Sequence, residues 1–479
     1  MPRLYLLVVA AVVGAAVLGL EVLAARTMAP ALGSGSVAWA ALLAVALGSL
    51  AVGNLLGGTL ADRVRPGSVI VWSLTLAAAV LLLLSRSYGP AMRWAATHSL
   101  LLGALVAAAV TQSLPMMLLG MVTPVLVKAG KETVAGSWAG AVLACGSAGG
   151  IGGALLIGLT VLPRLGLSKS YLLIAAALLL SLLPGVWKER RRIVAVLMAA
   201  VMALAVVLWL AGENRNVIQS RHGQIEIRDV EGGRVLLIDG LPQSALVGDI
   251  SRWQGLEHGY LLEVGLRLSR RPKTALVIGL GAGLAPRLLE AHGLVCESVE
   301  VDPRVAEVAR RDFGFGGDVT LSDGRTFLAG TDKRWDLIFL DVCTSERLPF
   351  HLFTREALET VRDRLTDGGV LVVQFVGDDG TWSASLEQAV GQVFGGSLML
   401  RSRSDIWPVG PRWLFSARCS MPDAEEFAHP DVPWQVVEVQ AKPKILSDDL
   451  FAAEPDWART AAAWRRLYAF QNNSSSAVP

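Results

Sequence analysis

A glycine turn and four acids carry the residue types in this chain that could do chemistry. Residues 274–304 open with Thr-Ala-Leu-Val-Ile-Gly-Leu-Gly-Ala-Gly-Leu-Ala-Pro and close with Val-Glu-Val-Asp-Pro-Arg. Gly279, Gly281 and Gly283 let backbone approach a ligand, and Glu300, about twenty residues on, can accept both hydroxyls of a ribose. Asp302 follows at the same strand end. Two later apolar runs also end in acids: Asp323, followed by Gly324, and Asp341. Carboxylates at strand ends can hold a cation, orient a nucleophile and accept its proton. A ligand-free strand-to-helix turn would use the same glycines, and a plain strand-end cap the same Asp341. Spacing alone leaves both readings open.

The elements that must position these groups alternate between strand and helix. An apolar run at 275–278 precedes the turn, and 284–292 is helix-compatible. Strands are predicted before Asp323 and over 336–341. A helix over 354–365 is closed by Thr366-Asp-Gly-Gly, and a strand follows at 370–375. Upstream, Gln224-Ile-Glu-Ile-Arg and Arg234-Val-Leu-Leu-Ile-Asp-Gly flank Glu231-Gly232-Gly233, which predicts a β-hairpin. A helix over 249–268 leads from it into the turn. This is the pattern of an α/β Rossmann-like domain, whose ligands bind at strand C-termini.

Composition divides the chain. With 479 residues and 53% hydrophobic, it is too apolar for a single soluble protein. Its mean hydropathy is +0.50. The apolar excess lies at 1–212, expected to be a polytopic transmembrane domain. Seven stretches there have spanning length: 4–24, 37–57, 68–84, 99–127, 136–161, 170–187 and 193–210. The fourth is overlong and interrupted by Pro115 and Pro124, so it is one kinked helix or a broken pair. Gly53/Gly57 and Gly149/Gly153 have the spacing for close helix packing. Glu21 and Arg26 end the first span, where they either reach the headgroups or line a polar cavity. Residues 213–419 form the expected catalytic domain and 420–479 a C-terminal extension whose tail is expected to be disordered. Fourteen Lys/Arg against four Asp/Glu give the first part +10, so the total of +2 leaves −8 for the remainder. That balance argues against a nucleic-acid partner. Cys145, Cys296, Cys343 and Cys419 show neither pairing nor metal-ligand spacing, so no metal is expected.

Residues 217–417 resemble the spermidine synthase (polyamine aminopropyltransferase) family, within the class I methyltransferase-like fold. The matching pieces are Leu237-Ile-Asp-Gly-Leu-Pro-Gln243, the glycine turn, Val299-Glu-Val-Asp302, Asp323-Gly-Arg, and Asp341 with Leu352-Phe353 beyond it. Gln374 and the Pro408…Gly410…Phe415 ending also fit. With the multispan N-terminal part, the whole is similar to the membrane-fused spermidine synthases. The resemblance implies S-adenosylmethionine or its decarboxylated form as cosubstrate. Glu300 would hold the ribose and Asp323 the adenine amino group, with Asp302, Gly324 and Gln224 at the same nucleoside. Backbone at 279–283 would cradle the tail, and Asp341 would be the catalytic aspartate. Gln243, His258 and Glu346 are candidates for the substrate side. The family's Tyr-His-Glu reads Glu257-His258-Gly259 here, and a lone histidine is also an ordinary packed or surface residue.

Two departures set the alternatives. Ala282 stands where the family carries the aspartate that holds the free amine of the decarboxylated ligand, and Thr344 replaces a second aspartate. The leading expectation is aminopropyl transfer to a small-molecule amine with release of methylthioadenosine. The alternatives are an enzyme on intact S-adenosylmethionine (lyase, cyclase or methyltransferase) and a nucleoside sensor without catalysis. An integral protein of the cell (inner) membrane is expected, with the lipid bilayer as a partner and a homodimer in keeping with the family. Nine positive charges on one set of loops against five on the other would export the soluble domain if there are seven spans. A cosubstrate made in the cytoplasm places it inside, and that sidedness is the expectation taken.

Overall fold

The computed structural model describes the chain apart from residues 1, 33–34, 97, 131–134, 190–200, 202, 205, 208–216, 221, 231, 248–256, 270, 343–348, 403–408, 419–433, 438, 440 and 448–479. It divides into two compact units, Met1–Gln224 and Ile225–Pro479. The first is helical: α1 (Arg3–Leu32), α2 (Ser36–Arg63), α3 (Pro66–Ser87), α4 (Gly89–Ala96), α5 (Leu100–Ala108), α6 (Leu114–Gly120), α7 (Val122–Ala129), α8 (Ala135–Leu156) and α9 (Leu162–Glu189), then a short strand β1 (Val217–Gln219).

Among the described residues, five helices are long and apolar enough to cross a membrane, not seven. The fifth and sixth sequence stretches run on as one 49-residue path, Gly136–Pro184. That path bends at Gly166 (φ 81°, ψ 175°), a conformation open to glycine. The seventh stretch falls largely outside the described residues. The fourth is a single path, Leu101–Ala129. A π-helical turn at Ala109–Ser113 absorbs the break, with Pro115 opening the next helical segment, where its missing N–H costs little.

Missing side chains set the helix packing. A Cβ on Gly149 or Gly153 would overlap the α1 backbone at Ala11 or Ala15. One on Gly53 or Gly57 would overlap the backbone of Met117 or Met121. Close backbone approach adds van der Waals contact between the helices.

From Ile225 on, the second unit opens with an antiparallel meander: β2 (Gln224–Val230, whose first residue closes the first unit), β3 (Gly233–Ile238) and β4 (Leu241–Val247). The expected hairpin thus gains a third strand. There follow α10 (Glu257–Leu268), β5 (Thr274–Ile278), α11 (Leu284–Ala291), β6 (Val295–Glu300), α12 (Pro303–Phe313), β7 (Val319–Leu321), α13 (Gly324–Ala329) and β8 (Trp335–Leu340). The chain continues through α14 (Arg355–Asp363), β9 (Leu365–Asp378), α15 (Thr381–Phe394), β10 (Leu398–Ser402), β11 (Val409–Ala417) and β12 (Trp434–Val436). The main sheet has the order β12-β10-β11-β9-β8-β5-β6-β7. It is parallel from β9 to β7 and antiparallel beyond β9. This is a methyltransferase-like α/β sheet. Its central strands are apolar on both faces, with Leu276 and Ile338 in one cluster and Val277 and Phe339 in the other.

Asp336 ties the opposite, N-terminal edge of the strands. One oxygen accepts from Lys273 N–H (2.8 Å), Thr274 N–H (3.0 Å) and the Thr274 hydroxyl (3.2 Å). The other accepts from the Thr366 hydroxyl at 2.8 Å, so β5, β8 and β9 share one carboxylate. Burial would raise its pKa, but these donors outweigh burial and hold it below the usual aspartate range. A depressed folded-state pKa stabilises the fold above the unfolded value, about 4, and that stability is lost as pH falls through the folded one. Asp336→Ala is therefore expected to lower the stability of the full chain by roughly 2 kcal/mol near neutral pH. The gap from wild type should narrow under acid, which unfolding midpoints at pH 7 and below pH 4 would show.

Candidate functional site

The strands on either side of β5 run outward in opposite directions, to β6 and β7 on one side and to β8 and β9 on the other. The crevice at the C-terminal ends of β5 and β8 is the switch point where open sheets bind ligands. Gly279 lies at that point with φ 96°, and a Cβ on it would overlap the Asp341 carbonyl oxygen. The two strand ends are pinned by Asp341 N–H to Ile278 O and Gly279 N–H to Val299 O, both 2.9 Å. Gly281 (φ 53°) and Gly283 (φ 78°) continue the turn, with Gly283 pressed on the Phe315 ring.

Glu300 ends β6, is 8% exposed, and clamps this turn. One carboxylate oxygen accepts Leu280 N–H and the other Asp302 N–H, each at 2.9 Å. Each oxygen keeps a lone pair for a hydroxyl donor. Burial raises the Glu300 pKa and the Asp302 charge adds to it, with the backbone N–H groups of Asp302, Leu280 and Val301 opposing. Asp302 turns its carboxylate to Arg304 N–H (2.9 Å) and caps α12, so its first role is to start that helix.

Asp323 caps α13 through Thr326 N–H (2.9 Å), and its second oxygen meets His351 Nε2 at 2.6 Å. Burial would raise its pKa, but the Thr326 N–H and His351 bring it below the ordinary value. Gly324 brings the chain against Ile278, whose Cγ2 would lie 2.5 Å from an added Cβ. Asp341 follows β8. Its residue keeps some accessible surface, yet the carboxyl lies against protein. Burial, with Glu300 nearby, pushes it up to about 7. The site therefore holds one carboxyl poised between its two protonation states beside a second that is also destabilised as an anion.

Gly279, Gly281, Gly283, Glu300, Asp302, Asp323, Gly324 and Asp341 thus come together at one edge of one sheet. Gln243 stands half-buried on β4, its amide within 3.4 Å of Leu241 O. Gln224 closes the first unit, where it accepts from Gln219 Nε2 at 3.0 Å. His258 belongs to α10, but its side chain lies outside the described residues, as do Glu346 and Thr344. Three residues escaped the sequence reading. Val301, between Glu300 and Asp302, is 46% exposed, an apolar surface at a strand tip. Ser244 on β4 accepts Ala282 N–H at 3.2 Å. His351 pairs with Asp323. Only Val301 had a local signal, a hydrophobic residue inside an acid motif. No group of three metal-ligating side chains occurs among the described residues.

Residues 255–384 match the spermine/spermidine synthase domain family. A polyamine aminopropyltransferase of Vibrio vulnificus is 29% identical over 217 residues, 40% of this chain and 67% of that protein. One from Thermoplasma acidophilum is 30% identical over 168 residues, 33% and 60% of the two chains. An N-terminal histidine N-methyltransferase of Emericella nidulans is 36% identical over 119 residues, 23% of this chain and 21% of that protein. Among solved structures, a probable spermidine synthase from Corynebacterium glutamicum aligns with 50% of this chain and 99% of its own, at 18% identity and a TM-score of 0.42. The chain spans less than two thirds of the length of most of the curated relatives it matches. Residues 255–384 are thus similar to the spermine/spermidine synthase domain family, and polyamine aminopropyltransferases are among the relatives of the chain.

Proposed function

We propose that the second unit binds an adenosyl sulfonium and moves its alkyl arm from sulfur to an amine, releasing methylthioadenosine. Aminopropyl is the arm named for the homologues. The observation that carries this reading is Asp341, whose carboxyl is raised to about 7 at the mouth of the glycine turn. In the reaction the amine lone pair attacks the carbon next to sulfur, and the carbon–sulfur bond breaks with its electrons staying on sulfur. The cation becomes a neutral thioether. An alkylamine with a pKa of about 10 arrives protonated, so it must give up a proton before it attacks. Asp341 holds the ammonium, aligns it and takes or relays that proton. Glu300 accepts the ribose hydroxyls, Asp323 with His351 meets the adenine edge, and Val301 lies under the base. In this reading the helical unit sits in the cell membrane, with the catalytic unit on the cytoplasmic side, where the cosubstrate is made.

A second reading, an enzyme on intact S-adenosylmethionine, is favoured by Ala282. An acid in the turn would repel the ligand's own carboxylate, and the chain has none there. The N-methyltransferase among its relatives points the same way.

Asp341→Asn is expected to lower turnover by about 10²–10⁴-fold, measured as methylthioadenosine release. In wild type, kcat/KM should rise with pH and level off above about 7. A flat profile with a fully active asparagine variant would refute the role. The same residue gives a stability test. Its folded pKa lies above the unfolded value, so it favours the fold only while protonated, and that contribution is lost as pH rises through about 7. Asp341→Asn should therefore melt higher than wild type at pH 8, with the difference shrinking toward pH 4. Binding of the sulfonium cation favours the carboxylate, so at pH 7 it should release part of a proton. Calorimetry in buffers of different ionisation enthalpy measures that fraction.

A further inference from the structure

The structure assigns Ser244 the reading of the ligand's tail, and what it reads there is a carboxylate. This rests on the sulfonium reading above and selects, within it, the intact amino-acid form of the ligand. The glycine turn is where the tail of such a ligand must lie, because glycine lets backbone come close there. Ala282 puts a methyl group at this point, so the turn itself offers no charge.

The polar group that meets the turn comes from a different element. Ser244 on β4 accepts Ala282 N–H at 3.2 Å, and its Oγ would lie 2.5 Å from a Cβ on Gly281. Gly281 therefore leaves the space that Ser244 fills. A hydroxyl has one proton and two lone pairs. With one lone pair given to Ala282 N–H, the proton is left to donate. The Gly281 N–H makes no hydrogen bond with the described residues. Two donors without an acid suit a carboxylate, which only accepts. A primary ammonium only donates, and it would find only the one remaining lone pair of the serine there. The acids of the site, Glu300 and Asp341, come from the ends of β6 and β8 rather than from β4. Glu300 already holds Leu280 and Asp302 N–H groups with its two oxygens. Their charge serves the sulfonium and the amine, while Ser244 serves the other end of the arm.

The test is calorimetric titration of the purified full chain with three nucleosides: S-adenosylmethionine, its decarboxylated form and methylthioadenosine, which has no tail. Wild type should bind the intact sulfonium more tightly than the decarboxylated one. Ser244→Ala should weaken the intact ligand about tenfold, as loss of a hydrogen bond to a charged group does. It should leave methylthioadenosine unchanged, which also shows that the variant is folded. Ser244→Asp, which keeps an acceptor for Ala282 N–H but adds negative charge, should reverse the preference toward the decarboxylated form. Tighter wild-type binding of the decarboxylated ligand, or an equal loss for both sulfoniums in Ser244→Ala, would overturn the assignment and leave the sulfonium reading standing. Binding of none of the three would remove the sulfonium reading itself.

Discussion

The site depends on one close approach, Gly279 against the carbonyl of Asp341. These residues end adjacent parallel strands, and at a switch point adjacent strands send their chains away in opposite directions. The crevice opens only if the two backbones can touch at its floor. Any Cβ at 279 would occupy the position of the Asp341 oxygen. The φ of 96° adds a second requirement that L side chains rarely meet. From that contact follow the pinning of Asp341 N–H on Ile278 O and the position of the Asp341 carboxyl beyond it.

The second constraint is electrostatic. Glu300 and Asp341 share a crevice in which burial disfavours both anions, and the charge of Glu300 makes that of Asp341 worse. Glu300 is made tolerable by backbone N–H groups from the turn, at Leu280, and from the strand end, at Val301 and Asp302. The clamp that positions the turn thus also partly solvates the acid. Asp341 has no comparable compensation in its pKa balance, where burial and Glu300 both push upward. Such a pair is unfavourable until a cation enters. In the sulfonium reading, stability given up at the site becomes preference for a positively charged ligand.

Much of this was legible in the sequence because it is local. A strand, a turn with three glycines and an acid about twenty residues later are contiguous text, and their geometry follows from the βαβ unit. Glu300, Asp323 and Asp341 could be read at strand ends for the same reason. Ser244 and His351 could not. Ser244 lies 38 residues before the amide it meets, and His351 lies 28 residues after the carboxylate it meets. Only the packing of β4 on the turn, and of the segment after β8 on α13, brings them in. Asp302, a candidate ligand residue by its place in the motif, also caps α12, which the sequence offers as the ordinary use of a carboxylate before Pro303. In the helical unit, hydropathy found the apolar stretches but not their joins. Gly166 and the π-helical turns let a path bend without the polar break that separates spans in a sequence.

Both units use the same device for different ends. In the helical unit, Gly14, Gly149 and Gly153 remove the side chains that would hold α1 and α8 apart. Between apolar helices, that contact lets backbone pack on backbone. In the α/β unit, Gly279 leaves room for the Asp341 carbonyl at the floor of the crevice. The glycine there adds no apolar burial and removes a wall. At Gly149 and at Gly279 the missing Cβ lets backbone meet backbone, and Gly281 is a different case. What distinguishes them is what fills the space: helix backbone at Gly149, and at Gly281 a hydroxyl that still has a proton to give.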